Sequence, residues 1–359
     1  MKRKTVMMAA LLGAAMVFGG CGDSSGNTGT SSVKETSSKE TSSAAGTESP
    51  AEAEEEITDA ESAFMKAAPA YDTEEAKSYI EKMPEIRALA ADVKADEGLT
   101  VFGGEASEEA AAKVEAEIKK LTDEGYKVSL VMADLASQTG LAYDPDEAMC
   151  TQSTIKAVYL GSVKDSHPEA FEEHRLDLRK AIVDSNNDSY MALRDIYGAE
   201  PLEKWCEEVG VEKGFAEKAF PRAYTARDMF MLWTKLYCFL NSDEMQHSEF
   251  ASYYADSACS ATRIMLGAEY PVQTKAGWES GKESWKNYDP RDVVPEQYRD
   301  GDPSNDESAT NDTGVVYTEK GPYIFVIFTD VPFSVYHDYV EPNRLNDLVL
   351  ALNAFQAEL

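Results

Sequence analysis

Between Val128 and Val163 the hydrophobic pattern changes period. Val128, Leu130 and Met132 alternate with smaller or polar residues, which predicts a half-buried strand. Ser137, Gln138, Thr139 and Gly140 supply a turn, and Leu141 and Tyr143 continue as a second strand, giving a hairpin. A helical run follows through Ala157, Val158, Tyr159, Leu160 and Val163. Upstream, Ala106 to Asp123 reads as a strong helix ended by Gly125, and apolar residues from Phe64 to Val93 recur at helical spacing. Downstream, helices are expected over Pro168–Val183, Ser189–Tyr197, Pro201–Val209 and Tyr224–Leu240, the last with Thr225 as its N-cap. Strands are expected around Tyr270–Trp278, from Thr313, and over Tyr323–Asp330, with a closing helix over Asn343–Leu359.

The first 60 residues fit neither period. Lys2, Arg3 and Lys4 precede an apolar run from Val6 to Phe18, then Gly19, Gly20 and Cys21, the order of a secretion signal over residues 1–20. The run is too short for a comfortable membrane span. Residues 21–60 are Ser, Thr, Gly and Glu with few apolar side chains, so they cannot offset their ordering entropy and are expected to be a tether, on the order of 35 Å long on average. Residues 61–104 are expected to be a helical extension, and 105–359 a single large domain that needs no disulfide to build its core.

A formal charge of −31 excludes nucleic acid as a partner and opposes a peripheral grip on anionic lipid. Cys150, Cys206, Cys238 and Cys259 allow three pairings if they pair at all, show no metal-site spacing, and leave no cofactor implied. Cys150 is expected to be a small buried apolar residue. His167, His174, His247 and His337 are scattered and no Gly-x-Ser-x-Gly is present, so a histidine triad has no support.

Candidate chemistry lies at the start of the Ala157 helix. Ser153 and Lys156 are three residues apart and share a helix face, so the amine can serve as base for the hydroxyl. The same spacing at Ser31–Lys34 falls in the tether and has no such context. Two further short motifs follow in order: Ser185-Asn186-Asn187 before a helix, and Lys275-Ala276-Gly277 within the strand YPVQTKAGW. The glycine allows close approach to the strand backbone.

A helix, a hairpin and MCTQSTIK, followed by Ser-x-Asn and Lys-Ala-Gly, resemble the class A β-lactamase and penicillin-binding serine hydrolases. The resemblance implies an α/β fold, with an antiparallel sheet of about five strands flanked by helices. It makes Ser153 the nucleophile, Lys156 its base and Ser185 a proton relay. Asn187, Lys275, Gly277 and Trp278 would bind substrate, Lys275 as a fixed positive charge, with the backbone N–H groups of Ser153 and Trp278 as the oxyanion hole. The substrate implied is a β-lactam or a cell-wall peptide. Val17-Phe18-Gly19-Gly20-Cys21 resembles a bacterial lipoprotein cleavage site, which would lipidate Cys21 and hold the protein on the outer face of the cell membrane. A non-catalytic binding lipoprotein on the same fold is the rival from another functional class.

Three departures bear on activity. Glu-x-x-x-Asn, whose glutamate activates the deacylating water in class A enzymes, is missing before Tyr224; Glu212 and Glu217 lack the partner asparagine and are expected to be solvated. Ala276 replaces a hydroxyl, leaving Thr274 or another donor to substitute for it. Residues 279–311, acidic and longer than the fold needs, are expected to be a loop beside the cleft.

Overall fold

The computed structural model describes residues 73–94, 98–221, 223–279, 308–333 and 343–359, with residues 58 and 64 and the backbone of 335–336 and 339–340. All belong to one compact unit. The leader, Cys21 and the tether lie outside the described residues, as do residues 280–307 of the long connection.

Six antiparallel strands form the central sheet in the order β1-β3-β2-β6-β5-β4. They are β1 (Thr100–Phe102), β2 (Val128–Asp134), β3 (Gly140–Tyr143), β4 (Val272–Glu279), β5 (Ala309–Thr318) and β6 (Gly321–Thr329). The sequence leads to about five; the sixth is β1, paired to β3 through Val101 and Leu141, so the segment expected to be only helical also closes one edge. The other correction in the sheet concerns Asn311, which stands inside β5 rather than in the loop that precedes it.

Helices cover both faces. Residues of one parity, including Val131, Ala133, Val315, Ile324 and Val326, pack in one core with α1 (Thr73–Asp92), α3 (Ile155–Ser166), α4 (Ala170–Ile182), α5 (Asn187–Tyr197), α6 (Glu200–Val209) and α7 (Ala226–Leu240). The opposite parity, including Leu130, Met132, Val316, Phe325 and Ile327, packs against α2 (Glu108–Asp123) and α10 (Asn346–Glu358). Two short helices, α8 (Glu249–Ser252) and α9 (Ala261–Leu266), precede β4. Every residue of β2 is therefore buried, where the alternation of Val128, Leu130 and Met132 predicts a strand with one wet face. The intervening small residues Ser129 and Ala133 face the other helix layer.

The capping chemistry explains where the elements begin. Ser107 accepts a hydrogen bond from Ala110 N at the start of α2, and the Thr225 side chain accepts from Asp228 N at the start of α7. Asn186 does the same for Ser189 N, which starts α5 at Asn187 and puts that residue in the first helical turn, two positions earlier than the pattern predicts. The Arg227 guanidinium joins α7 to Asp146 and to the carbonyls of Ala90 and Val93, fixing the end of the N-terminal extension to the domain.

Candidate active site

The chain enters α3 through a 3₁₀ turn, Gln152–Thr154, so Ser153 sits on the tighter turn and Lys156 on the second position of the α-helix. Residues three apart meet on one side in either geometry. Gln152 holds a left-handed φ of 47°, uncommon for a side chain of its size, and the turn persists because its flanks are pinned. Asn311 Nδ2 donates to the carbonyls of Cys150 (2.8 Å) and Thr151 (3.3 Å), while Asn311 Oδ1 accepts from Thr329 N. Thr151 N and Oγ1 both donate to Pro221 O. Cys150 itself is half-buried rather than enclosed.

From the sheet side, Gly277 lies directly against this turn. A Cβ at Gly277 would stand 2.8 Å from Ser153 N, 2.8 Å from Thr151 O and 2.9 Å from Thr154 N. No side chain fits there. Ala276 N donates to Ser257 Oγ, on the side of β4 away from β5. Strand N–H groups alternate in direction, so Trp278 N–H points off the same free edge.

Lys156 is fully buried. Its ammonium donates to Ser185 O (2.6 Å), Asn187 Oδ1 (2.5 Å) and, more weakly, Ser185 Oγ (3.4 Å), and lies over the rings of Tyr190 and Phe220. Ser185 occupies a left-handed φ of 58°, which turns the loop so that its carbonyl and hydroxyl both face the lysines. Lys275 Nζ donates to Ser185 Oγ (2.9 Å) and Ala276 O (3.0 Å) and approaches the Trp278 ring. With two ammonium groups pointing at its lone pairs, the Ser185 hydroxyl keeps its own proton for another acceptor.

Ser153, Lys156, Ser185, Asn187, Lys275, Gly277 and Trp278 thus converge at one end of α3. The sequence missed three contributors. Asn311 sits at the polar head of an otherwise apolar strand, and that contrast is its only signal. Tyr190 and Phe220 read as ordinary core aromatics. Thr274 does not replace the hydroxyl absent at Ala276: Thr274 Oγ1 is buried and makes no hydrogen bond among the described residues. Glu212 and Glu217 are exposed, as the missing partner asparagine suggests. Among the described residues no group of three or more His, Cys, Asp or Glu could hold a metal ion.

Two buried groups titrate abnormally. Burial pushes Lys275 from an ordinary 10.5 down to about 7, against the opposing pull of Cys259, Asp312 and Asp184, so its charge depends on pH and is not fixed. Burial pushes Asp312 from 3.8 up to about 6, although Thr262 N and Ser260 Oγ donate to its carboxylate. Between about pH 4 and 6 the folded chain keeps a proton on Asp312 that the unfolded chain has lost, so this group makes stability fall as pH rises. Between about 7 and 10.5 the unfolded chain keeps a proton that folded Lys275 has lost, so stability rises. Thermal midpoints across pH 4–10 should show the fall flattened in Asp312→Asn and the rise flattened in Lys275→Met. Parallel curves for all three proteins would remove both assignments.

Residues 175–340 match the model of the Beta-lactamase enzyme family. The match spans 166 of the 359 residues, a little under half of the chain. The matched span includes Ser185, Asn187 and Lys275–Trp278, and begins after Ser153. Among solved structures the chain is similar to a beta-lactamase from Streptosporangium roseum, at 16% identity over 70% of this chain and 100% of that one, with a TM-score of 0.48. It is also similar to a beta-lactamase from Desulfarculus baarsii, at 17% identity over 69% and 98%, with a TM-score of 0.47. No curated protein matches.

Proposed function

We propose that this chain is a serine hydrolase of the β-lactamase family that opens β-lactams, or a similarly strained amide, through an acyl-enzyme on Ser153. The observation that carries the reading is the buried Lys156, held one helical turn from Ser153 and joined through Ser185 to Lys275. Lys156 in its amine form takes the Ser153 proton as Oγ bonds to the carbonyl carbon. The resulting ammonium then makes the donor contacts to Ser185 and Asn187 described above. The backbone N–H groups of Ser153 and Trp278 receive the oxyanion. Ser185 passes its proton to the leaving nitrogen as the C–N bond breaks, and Lys156 restores it. Asn187 holds the substrate amide, and Gly277 leaves room for the acyl group beside the Ser153 turn. Lys275 attracts a substrate carboxylate only while protonated.

The leader pattern ending at Cys21 supports a secreted chain anchored by lipid to the outer face of a bacterial membrane. The experiment is intact-protein mass spectrometry of the full chain after incubation with a fluorescent penicillin. One equivalent of adduct is expected, absent from Ser153→Ala, whose thermal midpoint should match the wild type. Equal labelling of the two proteins would sink the assignment, and no labelling of either would favour a binding lipoprotein. A persistent adduct, displaced by acyl-D-Ala-D-Ala peptides, would instead identify a wall-peptide D,D-peptidase. In intact cells the labelled band should partition with membranes, and should be released by Cys21→Ser if the lipid is the anchor.

A further inference from the structure

We propose that Phe220 sets the lifetime of the acyl-enzyme by filling with carbon the space beside Lys156 from which a base could activate water. The inference rests on the reading of Ser153 as the acylated residue. The segment between α6 and α7 brings Phe220 against Lys156, and it is held at several points. Arg194 Nη2 donates to Ala216 O (2.7 Å), Tyr190 OH donates to Ala219 O (2.9 Å), and Pro221 O receives both Thr151 N and Thr151 Oγ1. Phe220 lies between two of these anchored residues. Its ring centroid is 5.6 Å from Lys156 Nζ and 5.4 Å from the Tyr190 ring, which it meets edge to face. The position is therefore built into the wall.

Acyl-ester hydrolysis needs more than space. Water oxygen must bond to the carbonyl carbon, its proton must reach a base, and the C–Oγ bond must break with a proton returned to Ser153. Lys156, an amine again once it has restored the Ser185 proton, is fully buried with the rings of Tyr190 and Phe220 against it, so water is kept from its lone pair. Glu212 and Glu217 are the carboxylates of the wall segment, and both are exposed. The side of the segment facing Lys156 presents the Phe220 ring. Water placed against that ring loses hydrogen-bond partners, and neither carboxylate of the segment is buried there to orient it.

The test follows the penicillin adduct on the full chain after excess reagent is removed, for wild type, Phe220→Leu, Phe220→Ala and Phe220→Glu. Wild type and Phe220→Leu should keep the adduct for similar times. Phe220→Ala should lose it at least several-fold faster and Phe220→Glu at least tenfold faster, each read as the decay of adduct already formed and so independent of any change in acylation rate. The dependence of lifetime on side-chain chemistry, with thermal midpoints recorded alongside, separates a role in water exclusion from a packing role, in which lifetime would follow the midpoint alone. Equal lifetimes for Phe220→Leu, Phe220→Ala and Phe220→Glu, with the adduct present, would overturn the proposal alone. Absence of any adduct on wild type would overturn the Ser153 reading and the proposal together.

Discussion

Replacing Lys156 by methionine should slow acylation of Ser153 by roughly 10²- to 10⁴-fold, the span of a lost general base. Nearly all of the loss should fall on the chemistry. Lys156 is fully buried among Tyr190, Phe220 and the Ser185 loop, and methionine is a flexible apolar side chain that fills most of the same volume. Replacing a buried charge by an apolar group of similar size is often neutral for stability. Ser185 O and Asn187 Oδ1 lose a donor, but Asn187 is half-buried and water can reach it. The thermal midpoint should therefore move little while the labelling rate collapses. Labelling within threefold of wild type would show that another group takes the Ser153 proton. Lys275→Met is the informative comparison: it should spare the Ser153 turn and lower the labelling rate chiefly for anionic substrates, most below about pH 7, where Lys275 is charged.

Gly277→Ala should damage both rate and stability. The added carbon would come within 3.0 Å of Ser153 N, Thr151 O and Thr154 N, and all three are backbone atoms that cannot swing aside as a side-chain tip can. Either β4 moves outward or the 3₁₀ turn shifts by a few tenths of an ångström. Overpacking of this kind costs about 1–3 kcal/mol. A small displacement of a nucleophile can cost up to about 10²-fold in rate. Asn311 ties the turn to β5 and β6, so the turn resists and the strand edge should yield. Stopped-flow labelling together with thermal melting checks both parts. An alanine variant with wild-type rate and midpoint would show that the close approach is incidental.

The hairpin, the order of the helices and the seven converging residues were legible in the sequence because each carries a local signal. Thr225 and Gly125 mark helix ends by their own chemistry, and Ser153, Ser185 and Lys275 stand in short patterns whose order is preserved. What was not legible depends on long-range packing. β1 is three residues long, too short for a period, and exists because β3 offers it an edge. The double burial of β2 follows from helices on both faces, which a single strand's pattern does not report. Asn311 is 158 residues from Ser153 (311 − 153), and only the folded sheet brings its amide to Cys150 and Thr151. The pH dependence of Lys275 is a matter of burial, and no motif encodes burial.

The free edge of β4 also limits how a ligand can be gripped. Gln273 Nε2 donates to Ala251 O, and Ser257 Oγ occupies the N–H of Ala276, so the α8 segment seals the strand up to that residue. An extended chain cannot zip along this strand, which removes a route to edge-to-edge aggregation. Among the described residues beyond Ala276, the strand's free edge offers the backbone donor of Trp278. A ligand held on the strand by one donor swivels about it unless the Ser153 N–H and the opposite wall, where Asn187 is half-buried, fix its orientation. On the proposed reading the grip is shared among the strand, the Ser153 turn and the Ser185 loop. On that reading small rigid amides suit the site better than long flexible peptides, which would need the sealed part of the strand.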